Sequence, residues 1–156
     1  MEAIGFSVIT NLQTALQTIA QASGYHYDVA EVAVKLDPNQ DVEALIGDDA
    51  ARPFLVIEVN PSVFSYRPAM RVQVVMPVTI HAVHDSDPTD DDSWLQTFMR
   101  LCADVEKAIA VDIHRGGPAT DHVVLGCEFQ TFGGLQVWAM VKTQIRIERV
   151  YGTPNA

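Results

Sequence analysis

The amino-acid sequence predicts an α+β domain: a mainly antiparallel sheet with two main helices packed on one face. One observation is the segment Met70–Val83, where apolar residues alternate with a mixed set of residues, as in a long β-strand. A second is the alternating region on both sides of Gly133 and Gly134, which indicates a hairpin. A third is a pair of segments with helical periodicity, near the start of the chain and after residue 92. Together these segments predict the order α-β-(short α)-β-β-α-β-β.

The length and composition favour a single domain. The chain has 156 residues, of which 48% are hydrophobic and 19% charged, as in globular domains of ordinary size. We expect residues 1–151 to form this domain and residues 152–156 to be a frayed C-terminal tail. We expect no membrane segment, because no stretch approaches the ~18 consecutive apolar residues that one needs. The N-terminus has no secretory signal pattern, which favours a protein made in the cytoplasm.

The net charge of −10 disfavours a nucleic-acid-binding surface. Phosphate contacts need clustered Lys and Arg, whereas the 10 basic residues of this chain are scattered and no two are adjacent. The same charge is compatible with a protein that stands beside DNA without binding it.

The first third of the chain has one amphipathic helix followed by short elements. Apolar residues recur at spacings of three and four along this helix: Ile4, Val8, Leu12, Leu16 and Ile19. Gly24, just beyond them, is a suitable C-terminal stop. The segments that follow are a strand within residues 25–36, a short helical turn at residues 41–46 and a strand at Phe54–Val59. Residues 60–69 contain two prolines and are interpreted as a loop.

The long strand and the second main helix have local features of their own. Pro77 cannot donate to a β-ladder, so we expect a sheet edge or a bulge at that position. Ser93 and Gln96 match the capping box of a helix that should end near Asp112. The apolar face of this helix is expected to comprise Leu95, Phe98, Cys102, Val105 and Ile109.

Two registers are conceivable for the C-terminal hairpin, and the pairing of apolar residues chooses between them. A two-residue Gly-Gly loop would set Leu125 opposite Lys142. A three-residue loop sets Phe129 opposite Val137 and Leu125 opposite Val141, which gives one coherent apolar face. We therefore predict the three-residue loop. The other face is then a mixed surface that contains Glu128, Trp138, Met140, Lys142, Gln144 and Arg146.

Two groups of residues are candidates for binding a cation. His81 and His84 are close in sequence to Asp85 and Asp87, but residues three apart on a strand point to opposite faces, so they make a poor transition-metal site. The acidic loop could bind Mg²⁺ or Ca²⁺ weakly, or it could be a solvated loop that caps the next helix. Its residues are Asp85, Asp87, Asp90, Asp91 and Asp92. We predict no specific metal centre.

No segment has a recognisable catalytic pattern. The chain lacks a G-x-S-x-G sequence, and neither Cys102 nor Cys127 has sequence neighbours that would activate a thiol. We expect two buried free thiols in a reducing compartment. The segment 114–117 follows a helix and lacks the Lys-Ser/Thr pair of a phosphate-binding loop. We therefore predict that the protein is not an enzyme and needs no cofactor.

Several apolar side chains are candidates for a contact with another subunit or a partner: Phe64, Tyr66, Trp138 and Met140. Aromatic residues and Met are enriched in interfaces. The alternative is that helices cover Trp138 and Met140 and that Phe64 folds back onto the core. If Trp138 lies at a subunit contact, Trp138→Ala should weaken assembly and leave the monomer nearly intact. Unfolding of the monomer would instead place Trp138 in the core.

Several motifs occur together along the chain. They are the opening helix that ends in Gly24-Tyr25, P-F-L-V-I-E-V from Pro53, R-V-Q-V-V-M-P-V-T-I from Arg71, the helix W-L-Q-T-F-M-R-L-C-A-D-V-E-K-A-I, and a hairpin ending in V-K-T-Q-I-R-I-E. The most specific is L-x-x-D-V-x-x-A-I, formed here by Leu101, Asp104, Val105, Ala108 and Ile109 and followed by Gly116-Gly117-Pro118-Ala119. With this combination the chain resembles the tail terminator (tail completion) proteins of long-tailed bacteriophages.

The resemblance implies a structural protein of the virion, located at the junction of tail and neck. Such proteins form a ring, usually a hexamer, that caps the tail tube, stops its polymerisation and joins the tail to the head connector. The implied partners are further copies of the chain, the tail tube protein and the head-tail connector protein. DNA would pass nearby without specific binding, and the acidic loop could line the lumen because its charge repels DNA. The resemblance implies no catalytic residue.

Two alternatives stay open at this point. Another neck or minor tail assembly protein of a phage or prophage would share much of the same pattern. The other alternative is a small metal- or ligand-binding α+β domain without a viral role. A metal-dependent rise in melting temperature would favour the latter.

Overall fold

The secondary structure follows the predicted order, with one strand added. The elements are α1 (Ile4–Gln17), a 3₁₀ turn (Gln21–Ser23), β1 (Glu31–Val34), α2 (Val42–Ile46), β2 (Phe54–Val59), β3 (Val63–Arg67), β4 (Arg71–Asp85), α3 (Ser93–Val111), β5 (Asp121–Phe132) and β6 (Gln136–Val150). The structure is a computed structural model that describes residues 4–47, 50–61, 63–67, 71–86, 89, 93–132 and 136–150. The side chains of residues 63–67, 131–132 and 149–150 are outside that description.

The sheet is organised around β4. Its strand order is β1-β2-β4-β6-β5, and β3 pairs with β4 off this path. β4 pairs with β6 along all of its 15 residues. On its other side, β4 pairs with β2 through residues 78–83 and with β3 through residues 71–75. Only the β1–β2 pair is parallel among these ladders, so the prediction of a mainly antiparallel sheet is confirmed.

The two faces of the sheet are covered differently. α1 and α3 pack against each other and on the same face, as predicted, and enclose what we call the main core. β4 contributes its even-numbered residues to this core, namely Met76, Val78, Ile80 and Ala82. α2 packs on the opposite face, where a smaller α2 cluster consists of Val42, Ile46, Phe54, Val56, Val83 and Trp138. The α+β class is therefore confirmed, with a second small layer that the sequence did not indicate.

The prediction of a loop at residues 60–69 is wrong, because residues 63–67 form β3. The segment V-F-S-Y-R has β-branched and aromatic residues that favour a strand. The two prolines, Pro61 and Pro68, flank this segment and do not interrupt it. β3 therefore pairs back onto the first part of β4 as a hairpin.

Pro77 lies inside the sheet and not at an edge, but the register of its neighbours shifts by one residue there, as expected of a bulge, because Val59 pairs with Val78 and Val63 with Val75. The Pro77 carbonyl accepts a hydrogen bond from the backbone N–H of Asn60 at 2.9 Å. In an antiparallel pair, the N–H and C=O of one residue point to the same neighbouring strand. The donor that proline lacks therefore faces the end of β2, at the point where β4 changes partner from β2 to β3. The β2–β4 ladder therefore ends beside Pro77, while Pro77 stays paired with Gln144 of β6 on its other side.

The C-terminal hairpin differs from its predicted register by one residue on each strand. Three residues separate the first pair, Phe132 and Gln136, and Phe129 pairs with Ala139 where Val137 was expected. A bulge between Val124 and Gly126 then shifts the register again. Val124 packs against the main core as a result, and Leu125 is 58% exposed where the prediction placed it opposite Val141.

α3 begins and ends as predicted, and Cys102, Val105 and Ile109 of its predicted apolar face are buried. Leu95 is 42% exposed, although the periodicity placed it on the apolar face. Thr97, Leu101 and Asp104 are buried as well. Leu95, in the first turn of α3, is therefore partly exposed to solvent and is not a core residue.

Asp104 joins α3 to the segment between α1 and β1. Its side chain is buried and accepts hydrogen bonds from the backbone N–H groups of His26, at 2.9 and 3.1 Å, and Tyr27, at 3.0 Å. One turn later, the Lys107 ammonium donates to the Gly24 carbonyl at 2.8 Å and lies 4.8 Å from the centre of the Tyr25 ring. The L-x-x-D-V motif therefore holds the Gly24-Tyr25 segment in place.

We predict that Asp104→Ala lowers the free energy of unfolding by about 2–4 kcal/mol. The substitution leaves two backbone N–H groups without their charged acceptor, and such bonds are among the stronger ones in proteins. Chemical denaturation of the purified chain measures the change. Glu106→Ala, which removes an exposed carboxylate from the same helix, is the matched control and should have little effect. Equal stability of the Asp104→Ala variant and the wild-type chain would contradict this role.

Candidate functional site

Trp138, one of the predicted interface residues, lies in the α2 cluster. It is 7% exposed in the single chain and packs with the side chains of α2, β2 and β4 in that cluster. Met140, two residues along β6, is half-buried and packs against the same cluster. Most of the Trp138 surface is therefore covered within one subunit, and the interface role of Trp138 and Met140 stays a prediction.

A chain of hydrogen bonds leads from Trp138 across the sheet. The Trp138 indole N–H donates to Nδ1 of His81 at 2.9 Å, and Nε2 of His81 lies 3.3 Å from Oε1 of Glu58. The second oxygen of Glu58 accepts from the Lys35 ammonium at 2.9 Å. Because Nδ1 of His81 accepts, its proton must be on Nε2, which donates to Glu58. The network therefore selects one neutral tautomer of His81.

The pKa values of His81 and Glu58 are both lowered, but for different reasons. Burial lowers the pKa of His81, and the hydrogen bond and charge of Glu58 oppose this only in part. Burial alone would raise the pKa of Glu58, but the hydrogen bonds from Lys35 and His81 outweigh it, so the pKa is lowered. At neutral pH the network thus consists of a neutral imidazole between an indole N–H and a carboxylate that is paired with Lys35.

The two histidines of the predicted cation site point to opposite faces of β4. The His84 ring contacts the Tyr27 ring, with centroids 4.7 Å apart, whereas His81 is bonded to Trp138 on the α2 side. Burial also lowers the pKa of His84, despite the opposing charge of Asp85. Among the residues that the structure describes, no three His, Cys, Asp or Glu side chains are grouped so as to hold a metal ion.

Of the acidic loop, Asp85 is the residue that the structure places. Its carboxylate lies 3.6 Å from the Arg52 guanidinium, whose side chain is 9% exposed. The other loop candidates, Asp87, Asp90, Asp91 and Asp92, lie outside the described residues. Phe64 and Tyr66 belong to β3, and their side chains lie outside the described part as well. The hypotheses on these residues stay predictions.

Both cysteines are free thiols near the main core. Cys102 is buried on α3 and Cys127 is half-buried on β5. Burial raises the pKa of both thiols, which keeps them protonated and poorly nucleophilic at neutral pH.

An apolar surface that the sequence did not indicate lies along β5, the last strand of the sheet. Phe129 is 50% exposed, and its ring centre lies 5.0 Å from that of Trp94 and 5.4 Å from that of Phe98, both on α3. Leu125, at the bulge of the same strand, is 58% exposed. We call Leu125, Phe129, Trp94 and Phe98 the β5 edge patch.

A second surface, lined by both apolar and polar residues, lies at the other side of the sheet. Leu36 and Val59 are 76% and 39% exposed and line a groove together with Pro38 and Pro61. We call this surface the β1–β2 groove. The Lys35–Glu58 ion pair forms part of its wall.

Neither surface was among the predicted site residues. Leu36 follows a short strand and precedes a polar turn, so its periodicity is uninformative. Leu125 is exposed because of the bulge, which the alternating pattern does not reveal. A missed signal was Phe129, because an aromatic side chain on one strand of a terminal hairpin is a candidate for an edge contact.

Comparisons with known proteins do not assign a family. No protein-family model matches the chain, and no curated protein matches it. Among solved structures, it is similar to a chain of the virion of a native gene transfer agent (GTA) particle, with 10% sequence identity and a TM-score of 0.41. The match covers 94% of this chain and 96% of that chain. At this TM-score the similarity establishes neither fold nor function. Across the described residues, no helix is long and apolar enough to span a membrane.

We predict that Trp138→Ala lowers the free energy of unfolding of the subunit by about 3–5 kcal/mol, because it empties a buried aromatic site. Trp138→Phe keeps most of the packing but leaves Nδ1 of His81 without its donor, and should cost about 1–2 kcal/mol. Chemical denaturation under conditions that keep the chain monomeric measures both. A Trp138→Ala variant as stable as the wild-type chain would show that the α2 cluster contributes nothing to folding.

We also predict that the free energy of unfolding decreases as the pH falls from about 6.5 towards 5. The unfolded chain protonates its histidines near pH 6.5, whereas the folded chain holds the pKa of His81 and His84 lower. For each histidine that stays neutral in the folded state, the free energy of unfolding falls by about 1.4 kcal/mol for each pH unit in that window. Denaturation curves at several pH values give the slope. His81→Gln should reduce the slope, and the exposed His26→Gln variant serves as comparison. An unchanged slope in His81→Gln would contradict the assignment.

Proposed function

We propose that the protein is a phage tail terminator: a virion protein whose subunits form a ring at the tail-neck junction. The ring caps the tail tube, stops its polymerisation and joins the tail to the head-tail connector. Its partners are further copies of the chain, the tail tube protein and the connector protein, with DNA passing through without specific binding. The role is structural and involves no catalysis or cofactor.

The observation that supports assembly is the exposed apolar surface of the single chain. The β5 edge patch combines half-exposed Phe129 with Leu125 on the last strand of the sheet, where the outer backbone groups have no strand partner among the described residues. Natural proteins usually protect such edges with charge or a covering element. A contact with another chain would provide that protection.

The resemblance supports the particular kind of assembly. Its most specific motif, L-x-x-D-V-x-x-A-I, is buried along α3, and Asp104 of that motif bonds the backbone just after Gly24-Tyr25, another part of the resemblance. Two separate portions of the sequence pattern are therefore one contact in the folded chain. The net charge of −10 supports a lumen that DNA passes without adhering.

A stop codon early in the gene tests this function. We expect negative-stain electron microscopy of lysates from the phage or prophage that has the gene to show overlong tail tubes without heads. Expression of the intact chain from a plasmid is the matched control and should restore tails of normal length with heads attached.

The other outcomes of this experiment each favour an alternative. Tails of normal length beside unattached heads would remove the terminator function and favour another neck or minor tail assembly protein. Intact infectious particles would remove the assembly role and leave the small metal- or ligand-binding domain as the remaining candidate.

A further inference from the structure

Helix α3 lies along β5 in a fixed register. The ring centre of Phe129 on β5 lies 5.0 Å from that of Trp94 and 5.4 Å from that of Phe98, one turn later on α3. A further turn along the helix is Cys102, and two residues back along the strand is Cys127. Four helical residues rise about 6 Å and two strand residues about 6.6 Å, so the two steps match. Cys102 and Cys127 therefore face each other in the same way as Phe98 and Phe129.

The contacts of the two thiols agree with this register. The side chains of Cys102 and Cys127 are in hydrogen-bonding contact with each other. Sγ of Cys127 also lies 3.6 Å from Oε1 of Glu106, the residue one turn beyond Cys102. Cys102 belongs to the main core, Cys127 packs against it, and both are free thiols. Two side chains that point at each other from different elements meet the first requirement of a disulfide.

The two cysteines differ in their access to solvent. Cys102 is 7% exposed, whereas Cys127 is half-buried. A small molecule in solution can therefore reach the sulfur of Cys127 before that of Cys102. Burial raises the pKa of both thiols, so a reaction that needs the thiolate is slow at neutral pH and faster at higher pH. This difference in access makes Cys127 the first thiol to react and Cys102 the second.

We propose that Cys102 and Cys127 form an intramolecular disulfide by exchange with a small-molecule disulfide such as oxidised glutathione. The Cys127 thiolate attacks one sulfur of that molecule, which forms a mixed disulfide and releases one small thiol. Cys102 then loses its proton to solvent, and its sulfur attacks Cys127 and releases the second small thiol. Two cysteine thiols are oxidised and one small disulfide is reduced to two thiols, so atoms and electrons balance.

The bond would join α3 covalently to β5. The two cysteines are 25 residues apart, and the loop between them contains the end of α3, the connection after it and the start of β5. Closing such a loop restricts the unfolded chain more than the folded one and therefore stabilises the fold. A virion protein is made in a reducing compartment and leaves it with the particle, so the bond would form after assembly. That timing rests on the proposed function, whereas the disulfide itself does not.

Mass spectrometry of the folded chain in glutathione buffers at about pH 8 tests the proposal. We expect the oxidised wild-type chain to lose the mass of two hydrogen atoms and to stay a single chain on a non-reducing gel. Proteolysis should then give one cross-linked peptide pair that contains both cysteines. The melting temperature should rise by roughly 5–10 °C on oxidation and return to its first value when a reductant is added.

Two single-cysteine variants separate the roles of the thiols. Cys102→Ala keeps the accessible thiol, so its reaction should stop at the mixed disulfide, and the chain should gain the mass of one glutathione. Cys127→Ala keeps only the buried thiol and should remain unmodified while the chain is folded. Neither variant should gain thermal stability on oxidation. The measurement on the wild-type chain needs no substitution, so it decides the question even where a variant folds poorly.

Other results would overturn the proposal. A folded wild-type chain that keeps both thiols free, in a buffer that cross-links the denatured chain, would show that the fold holds the sulfurs apart. Covalent dimers, or glutathione on both cysteines, would exclude the intramolecular bond. A melting temperature that falls on oxidation would show that the bond strains the fold. Each of these results leaves the stop-codon experiment unchanged, because the lengths of tails are measured without reference to the thiols.

Discussion

The β4–β6 ladder is the constraint on which the rest of the structure depends. Its 15 consecutive pairs span the length of the sheet, and every other element is attached to one of these two strands directly or through a single neighbour. Because side chains alternate along β4, its even-numbered residues go to the main core and His81 and Val83 go to the α2 side. The ladder thus decides which helix covers which residues. It also leaves β5 at one end of the sheet and β1 at the other.

The polar network on the α2 side follows from the same register. His81 on β4 lies directly opposite Met140 on β6, and Trp138 is two residues from Met140 along the same strand. On the other side of β4, β2 brings Glu58 next to His81. In this alignment the Trp138 indole N–H donates to Nδ1 of His81, and Nε2–H of His81 donates to Glu58. The network lies on the side of the sheet that α2 covers, and its hydrogen bonds link β6, β4 and β2 to Lys35.

Strong local patterns predicted much of this fold, and long-range packing decided the rest. The limits of α3 and the core face of β4 follow from periodicity, which depends only on neighbouring residues. β3 was missed because its flanking prolines suggested a loop, and the exposure of Leu125 was missed because a bulge reverses the alternation. The candidate surfaces depend on which strand ends the sheet. A single sequence does not show strand order, so Leu36 and Phe129 could be placed at opposite edges only in the folded chain.

Native mass spectrometry of the wild-type chain tests the central claim most directly. A ring predicts one closed species of fixed copy number, together with monomer on dilution. Because the contacts of such a ring are heterologous, intermediates with odd numbers of subunits should occur during disassembly. A final species that is a dimer, or an unbounded series of sizes, would contradict a closed ring.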